Sequence, residues 1–230
     1  MKMMKNLLKV ACLAALATGL VMCTTKNAQS EEAAAKPAAD SVKKVPFTNA
    51  KIVVLLAHPD MAKSQHNAVL AKAAESVEGV QVVNIYDYPV TADAYKEVIA
   101  HAKGIVFEFP FYWMSAPHLL KQWTDEVFTG FTGEKGMIEG KEFMVVTTTG
   151  SEEAAYQHNG RNRYTMEEYL RPYEGIANHT KMHWNKPLVA YGVPNDPEKD
   201  KADLQAYAEK YKQILTDLVK KVSEEKEPAE

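Results

Sequence analysis

Two kinds of apolar segment alternate five times along the chain, and this alternation restricts the available folds more than any other feature. The first kind is a short run rich in β-branched residues, which is typical of a strand buried on both faces. The second kind has apolar residues at helical spacing. Such an alternation predicts a doubly wound α/β fold, with a five-stranded parallel sheet, helices on both faces and right-handed crossovers. The predicted strands are 52–56, 80–86, 104–109, 143–148 and 188–191, and the predicted helices are 68–77, 92–102, 119–128, 165–179 and 197–222.

Residues 1–23 have the pattern of a bacterial export signal. Lysines precede an apolar stretch at 10–22, which is too short for a comfortable membrane span but fits the apolar region of a signal peptide. The segment Leu20-Val21-Met22-Cys23 resembles a lipobox, in which the cysteine is lipidated, although Met22 stands where a small residue is usual. We therefore expect an exported protein, either a membrane-anchored lipoprotein or a periplasmic protein released by ordinary cleavage.

The chain after this leader divides into a tether and one domain. Residues 24–48 are small, polar and charged without an apolar face, which predicts a disordered linker reaching about 25 Å as a coil. Residues 49–230 are long enough for a single domain with its own core. The net charge of −3, without a basic patch, argues against nucleic acid as a partner. Both cysteines, Cys12 and Cys23, lie in the leader, so the domain has no thiolate nucleophile or cysteine-ligated metal.

The loop after the first predicted strand has the features of an anion site. In an open α/β sheet, this loop faces the crevice where ligands bind, and the next helix begins with unpaired amide N–H groups. Ser64 is a good N-cap residue whose hydroxyl can reach a ligand oxygen, and Asn67 lies one turn further on. These residues indicate a phosphate cradle, although a serine at a helix start is often only a cap.

The loop after the third strand is unusually aromatic for a connection near the surface. Pro110 is followed by Phe111, Tyr112, Trp113 and Met114, at a point where the backbone has to turn toward the next helix. A flat apolar ligand would cover these side chains. The alternative is an aromatic cluster packed against the neighbouring helix or a dimer partner, a packing role that we assign to Trp123 on the helix itself.

The loop after the fourth strand is rich in hydrogen-bonding groups. Its first part, T-T-T-G at 147–150, offers hydroxyls, amides and a flexible turn suited to the polar edge of a heterocycle or a ribityl chain. Its second part contains Tyr156, His158, Asn159, Arg161 and Arg163. A solvated loop would have a similar composition, so the second part alone does not decide between ligand binding and exposure.

Taken together, the three loops resemble one enzyme family. The motifs AHP-x₄-S-x₂-N, FPFYWMSAPHLLKQWTDEVF and TTTG-x₅-Y, in that order, are similar to those of the flavodoxin-like NAD(P)H:quinone oxidoreductases of the DT-diaphorase type. The similarity covers roughly 51–222 and is greatest to bacterial members such as the ancillary oxidoreductases of glutathione-gated potassium efflux systems. It implies a flavodoxin-like fold, noncovalent FMN or FAD, NAD(P)H as electron donor, and ping-pong hydride transfer to quinone-like acceptors. It also implies a homodimer with the site at the interface.

The resemblance assigns roles to particular residues. Tyr156 takes the catalytic position, beside the flavin and the substrate, where it would hydrogen-bond the developing hydroquinone oxygen. Two departures concern the substrate: Thr149-Gly150-Ser151 replaces a paired glycine, and Asn162 lies near the position of a catalytic histidine in the animal enzymes. The residues implied to bind the cofactor are His58, Ser64 and Asn67 on the phosphate side, Pro110, Phe111, Tyr112 and Trp113 at the ring, and Thr148, Thr149, Gly150 and Ser151 at the ring edge and ribityl chain.

The remaining histidines do not indicate a metal site. His179 and His183 are four residues apart near a helix end, but the sequence offers them no clear third ligand. His66 and His118 are expected at the surface or in packing. The alternative to a nicotinamide-dependent enzyme is a membrane-tethered flavodoxin-like module that transfers electrons without using nicotinamide.

Overall fold

The computed structural model describes residues 42–134, 136–192 and 195–224, so the predicted leader and most of the predicted tether lie outside the described residues. One fully parallel sheet has the strand order β2-β1-β3-β4-β5, with β6 also paired to β4. The prediction of a doubly wound parallel sheet is confirmed. The strands are β1 (Ile52–Leu56), β2 (Val80–Asn84), β3 (Gly104–Pro110), β4 (Glu142–Thr149), β5 (His183–Trp184) and β6 (Leu188–Tyr191).

Helices alternate with these strands and lie on both faces of the sheet. A π-helical turn, Thr124–Phe128, interrupts what the sequence pattern predicts as one regular helix over 119–128. The helix start predicted at residue 165 is confirmed by a capping box, in which Thr165 is the N-cap and Glu168 the second member. The helices are α1 (His66–Glu75), α2 (Ala92–His101), α3 (His118–Trp123), α4 (Thr129–Phe131), α5 (Met166–Thr180) and α6 (Pro197–Glu224), and 3-10 turns lie at Met61–Lys63, Ile85–Asp87 and Glu153–Tyr156.

The two faces of the sheet have different cores. Helices α2, α3 and α5 cover a face rich in aromatic residues, where Phe107 packs edge-on against Trp123 and Phe143. The packing role predicted for Trp123 agrees with its complete burial. Helices α1 and α6 cover the other face, which is mainly aliphatic. Strands β1, β3 and β4 are buried on both sides, as their mainly apolar sequences predict, and Glu108 in β3 and Glu142 in β4 are buried with them.

Two strand boundaries differ from the prediction for local reasons. The second strand ends at Asn84 rather than at residue 86, because the Asn84 side chain accepts the Tyr86 N–H and begins a 3-10 turn. At the other edge, β5 pairs with the start of β4 and β6 with its end, so two short segments share the fifth position of the sheet. A two-residue strand is too short to produce a detectable pattern in the sequence.

Residues 42–48, which we call the strap, lie against α2 and β2, although their composition predicts a disordered tether up to residue 48. Val45 is 4% exposed, and its N–H donates to the Ala94 carbonyl at 2.9 Å. The Gln81 amide donates to the Pro46 carbonyl at 2.8 Å. The predicted disorder is wrong for the strap, because one buried valine among polar neighbours is too weak a pattern to indicate docking.

Two kinds of feature are absent from the part of the chain that the structure describes. No helix there is both long and apolar enough to cross a bilayer. No three side chains of His, Cys, Asp or Glu come together there in a way that could hold a metal ion.

Candidate functional site

A cleft of about 390 Å³ lies at the carboxyl ends of β1, β3 and β4, where ligands bind in open α/β sheets. Its volume is in the usual range for small-molecule sites. A larger groove, of about 820 Å³, opens near the amino end of β1 but lacks aromatic residues. We therefore take the cleft as the candidate site. Its lining residues are His58, Lys63, Ser64, Gln65, His66, Asn67, Pro110, Phe111, Tyr112, Thr148, Thr149 and Gly150.

The start of α1 forms the polar side of the cleft. The N-cap residue is Gln65 rather than the predicted Ser64, because the helix begins at His66. The Ser64 hydroxyl nevertheless accepts the Ala68 N–H at 3.1 Å, which leaves its own hydrogen to donate to a ligand. Amide N–H groups in the first turn of a helix have no intrahelical partner, and the helix dipole favours negative charge there. This side of the cleft therefore suits a phosphate group.

Asn67 connects α1 to the end of β4 and keeps one polar atom unsatisfied. Its Nδ2 donates to the Thr148 Oγ1 at 2.8 Å, while its Oδ1 has no partner in the described part of the chain although the residue is 2% exposed. A buried polar atom without a partner typically costs about 1–3 kcal/mol. The Thr148 hydroxyl can donate or accept a hydrogen bond, so the Asn67 side-chain amide can contact it through either its nitrogen or its oxygen. The atom left free for a ligand is then the acceptor Oδ1 or the donor Nδ2. This unsatisfied group, in a cleft, fits a polar ligand such as a flavin nucleotide.

His58 and Tyr112 form a second polar contact at the cleft. The His58 Nδ1 accepts the Asp60 N–H at 3.1 Å, so the proton of the neutral ring belongs on Nε2, which lies 3.3 Å from the Tyr112 hydroxyl. Burial lowers the pKa of His58, and the nearby Asp60 only partly opposes this. His58 is therefore a neutral hydrogen-bond donor in the cleft at physiological pH, rather than a cation.

The aromatic loop after β3 is a tight turn. Tyr112 and Ser115 exchange backbone hydrogen bonds of 2.8 and 3.0 Å, and the two residues between them, Trp113 and Met114, have φ angles of 47° and 65°. Positive φ angles at two bulky residues in succession are strained, and such strain is concentrated at functional sites. Phe111 and Tyr112 line the cleft, whereas the Trp113 side chain is 97% exposed and lies outside it.

The end of β4 supplies the other polar side. The Thr149 hydroxyl donates to the Ser151 carbonyl at 2.6 Å, which holds the turn that follows the strand. Gly192 passes so close to this strand end that a Cβ atom at its position would lie 2.8 Å from the Thr149 carbonyl oxygen, so only glycine fits there. Ser151 lies outside the cleft, in a neighbouring cavity, where its hydroxyl accepts a hydrogen bond from Arg161 at 2.6 Å.

Tyr156 is located behind the cleft rather than in its lining. It is 5% exposed, and its ring packs against Phe111 and Tyr191, with ring centres 5.9 Å away in both cases. Burial raises the pKa of the Tyr156 phenol, and the nearby polar groups of Thr149, Arg161 and Ser151 partly oppose this. The phenol therefore lies next to the turn that borders the cleft, whereas the sequence analysis expects it beside the flavin and the substrate.

The structure brings most of the predicted cofactor-binding residues together, with Trp113 and Ser151 outside the cleft. It also adds Lys63, Gln65 and His66, which the sequence analysis did not assign to the site. These three belong to the same loop as Ser64 and Asn67, and this position is the only feature of the sequence that indicates a place in the site. The His66 Nε2 lies 2.9 Å from a carboxylate oxygen of Asp200, so this residue also joins the starts of α1 and α6.

Comparisons with known proteins agree with this geometry. The family model described as "Flavodoxin-like fold" matches residues 50–215. The glutathione-regulated potassium-efflux system ancillary protein KefG of Enterobacter sp. (strain 638) is 36% identical over 168 residues, which are 70% of this chain and 92% of the relative.

Two solved structures are also similar. The NADPH-quinone reductase from P. pentosaceus has a TM-score of 0.60 and 31% identity, and the similarity covers 70% of this chain and 97% of that one. The general stress protein 14 from Treponema denticola, in complex with FMN, has a TM-score of 0.66 and 26% identity, over 73% of this chain and 99% of that one.

Proposed function

The chain belongs to the flavodoxin-like fold family, and from this premise we propose that it is an FMN-dependent NAD(P)H oxidoreductase that reduces quinone-like acceptors. Two similar structures support the proposal, since one is an NADPH-quinone reductase and the other binds FMN. The relation to KefG supports a role beside a membrane transport system. FAD is the alternative cofactor.

The observation that carries the proposal is the pairing of an anion site with aromatic side chains in one cleft. The start of α1 offers backbone amides and the Ser64 hydroxyl to a phosphate, while Phe111 and Tyr112 offer aromatic surface at the other side. Asn67 and Thr148, which share a hydrogen bond, line the same cleft. A flavin mononucleotide has a group to match each of these features: a phosphate, a hydroxylated chain and a flat ring.

Within this arrangement, each group has a defined task. The bound flavin would supply the hydride chemistry. The N–H and O–H groups of the α1 start would bind the phosphate, and Lys63, which lines the cleft, adds positive charge. Phe111 and Tyr112 would orient the ring and exclude water from one face, and the neutral His58 holds the Tyr112 hydroxyl in place.

Tyr156 is the residue to which we assign a role in acceptor reduction. Its phenol would stabilise negative charge that develops on the quinone oxygen, and it lies close to Thr149 and Ser151 at the turn that borders the cleft. Because the side chain is buried in the described conformation, we assign it contact with the acceptor only when the loop after β4 opens toward the cleft.

We also propose a homodimer and a lipid anchor at Cys23. The dimer would cover the aromatic turn, where Trp113 is almost fully exposed and Tyr112 and Met114 are each 45% exposed. Sedimentation of the purified chain tests the dimer. Fractionation of cells producing Cys23→Ser tests the anchor, since the variant should leave the membrane fraction if the cysteine is lipidated.

Identification of the cofactor tests the proposed function. The purified protein should be yellow, and mass spectrometry of the molecule released by heat should give the mass of FMN. NADH and NADPH are then added separately to the loaded protein under anaerobic conditions, and loss of the flavin absorbance shows which donor is used. A colourless protein that neither FMN nor FAD reconstitutes would contradict the proposal.

A further inference from the structure

The strap (residues 42–48) begins at the same edge of the sheet as the cleft. The Lys43 Nζ donates to the Asp87 carbonyl at 2.8 Å and lies 4.7 Å from the centre of the Tyr88 ring. Asp87 and Tyr88 follow the carboxyl end of β2, so these contacts fix the start of the strap at the carboxyl edge of the sheet. Lys44 pairs with Asp93 at the start of α2, which lies at the same edge.

From this edge, the strap runs to the opposite one. Val45 bonds to Ala94 near the start of α2, whereas Phe47 packs edge-on against His101 at the end of that helix, with ring centres 5.1 Å apart. The Thr48 hydroxyl donates to Gln81, near the start of β2, at 2.5 Å. Because α2 runs antiparallel to β2, the end of α2 and the start of β2 lie at the same edge of the sheet. The strap therefore runs from the carboxyl edge of the strands to their amino edge. The chain meets the domain at the cleft edge and enters β1 at the far edge.

The beginning of the strap is close to the cleft itself. Burial raises the pKa of the Tyr86 phenol, one residue before Asp87, and Tyr112, which lines the cleft, adds to this shift. The first residues of the strap therefore lie on the side of the domain where the candidate site opens.

We infer that the strap turns the cleft toward the membrane when the chain is anchored at its N-terminus, and that the acceptor is a lipid-soluble quinone held in that membrane. The inference rests on the proposed function and on the proposed anchor. A random coil of the 18 residues 24–41 spans roughly 21 Å, less than the roughly 40 Å across a domain of this size. Entry at the cleft edge thus places the site within reach of the bilayer, and entry at the far edge would hold it away.

The test compares two acceptors with the full chain in its anchored form. The protein is purified from bacterial membranes and reconstituted into phospholipid vesicles that contain a quinone with a long isoprenoid tail. Reduction of this quinone by NADPH is compared with reduction of a short-chain, water-soluble quinone by the same vesicles. Val45→Asp places a charge at a buried position and releases the strap, whereas Val42→Asp makes the same change at a position that is 41% exposed.

Release of the strap should affect only the membrane acceptor. Once the domain rotates freely on its tether, the cleft faces the bilayer for a smaller fraction of the time, so the rate with vesicle quinone should fall at least about threefold for Val45→Asp. The rate with soluble quinone should be unchanged, as should both rates for Val42→Asp. Should Val45→Asp fail to fold, the double variant Lys43→Ala, Phe47→Ala removes the more exposed strap contacts and should give the same result.

Two outcomes would overturn the inference in different ways. If the ratio of the two rates is the same in the wild type and in the strap variants, the strap does not orient the cleft, and the proposed function stands. If the wild type binds flavin but reduces neither quinone, the proposed function fails first and the inference fails with it.

Discussion

The two ends of β4 differ in how the buried polar groups near them are satisfied. At the amino end, Glu142 is 2% exposed and accepts hydrogen bonds from Lys221 at 2.8 Å and from Asn185 at 2.7 Å. Lys141, also buried, donates to two carbonyls at the end of α2. Burial lowers the pKa of the Lys141 ammonium to about 8. Buried charges at this end therefore have partners in the protein.

Toward the carboxyl end, some buried polar groups lack such partners, although the Thr147 and Thr149 hydroxyls donate to the carbonyls of Phe109 and Ser151. The Asn67 Oδ1, both carboxyl oxygens of Glu108 and the Tyr211 hydroxyl have no hydrogen bond in the described residues. Glu108 lies in β3, opposite Val146, and two residues before Pro110 at the cleft. Glu108 and Tyr211 are close enough to interact electrostatically, although neither forms a well-oriented hydrogen bond.

This difference indicates that the two ends of β4 have different roles. Buried polar groups in folded proteins are nearly always hydrogen-bonded, so every exception calls for an explanation. At the amino end, the satisfied charges join β4 to α2 and α6 and contribute to stability. At the carboxyl end, Asn67 faces the cleft, where a ligand can satisfy it, and Glu108 can avoid the cost of a buried charge only by staying protonated.

The largest expected effect is a gain in stability from Glu108→Gln at high pH. Burial raises the pKa of Glu108 to about 8 from 4.5, so the folded protein keeps the proton that the unfolded chain releases. The contribution of this group to stability is therefore complete below pH 4.5 and is lost as pH rises toward 8. Glutamine stays neutral, so the free energy of unfolding of the variant should exceed that of the wild type by about 4 kcal/mol at pH 8.

Urea unfolding at pH 5 and at pH 8 measures this effect. The two proteins should be similar in stability at pH 5, and the gap should open with rising pH. Equal pH dependence in the wild type and the variant would show that Glu108 is not the protonated buried acid described above.

A smaller loss of stability is expected at the amino end. Glu142→Ala removes two hydrogen bonds to a buried carboxylate and should lower the free energy of unfolding by about 2 kcal/mol. The exposed ion pair between Glu139 and Lys181 gives a matched control, since Glu139→Ala should cost less than about 1 kcal/mol. The bound flavin per folded protein should not change in either variant. A loss of flavin in Glu142→Ala would remove the distinction between the two ends.

Asn67→Ala tests the carboxyl end of β4, where we expect a change in ligand affinity rather than in stability. The variant loses one hydrogen bond to Thr148 but also loses the unsatisfied Oδ1, so the stability of the flavin-free protein should change by less than about 1 kcal/mol. Its affinity for FMN should fall about tenfold, which is equivalent to about 1.4 kcal/mol. Fluorescence titration with FMN measures the affinity. Asn185→Ala is the control and should lower stability without weakening FMN, and the reverse pattern in the two variants would refute the comparison.

The smallest expected effect is that of Tyr156→Phe. The variant keeps the ring packed against Phe111 but removes the phenol assigned to charge stabilisation, so reoxidation of the flavin by quinone should slow by a factor of up to about ten. Flavin content and reduction by nicotinamide should change much less. Tyr164→Phe, at a site that is 56% exposed, should behave as the wild type. If Tyr156→Phe leaves quinone reduction unchanged, or empties the site of flavin, Tyr156 is a packing residue.

Much of the fold is predictable from the sequence because the buried strands are short runs of mainly apolar, β-branched or aromatic residues. Strands β1, β3 and β4 lie within one residue of their predicted ends, and the capping box at Thr165 starts α5 as expected. The strap, the two-residue β5 and the π-helical turn are not predictable in this way. Each depends on contacts with distant residues, and none has a periodic pattern of apolar residues in the sequence.

The site is predictable to the level of loops but not of contacts. The residue types after three strand ends indicate where a ligand binds, whereas the bond between Asn67 and Thr148 joins positions 81 residues apart. Glu108 also has no signal in the sequence. In a strand buried on both faces, the alternation that would distinguish an inward from an outward residue is absent.

Anaerobic stopped-flow spectroscopy of the flavin-loaded chain tests the central claim most directly. NADPH or NADH is mixed with the protein, and a quinone is added in a second mixing step. The account predicts that at least one nicotinamide removes the absorbance of the bound flavin and that one equivalent of quinone restores it. Bound flavin that stays oxidised with both nicotinamides would contradict the account and would favour an electron-transfer module that does not use nicotinamide.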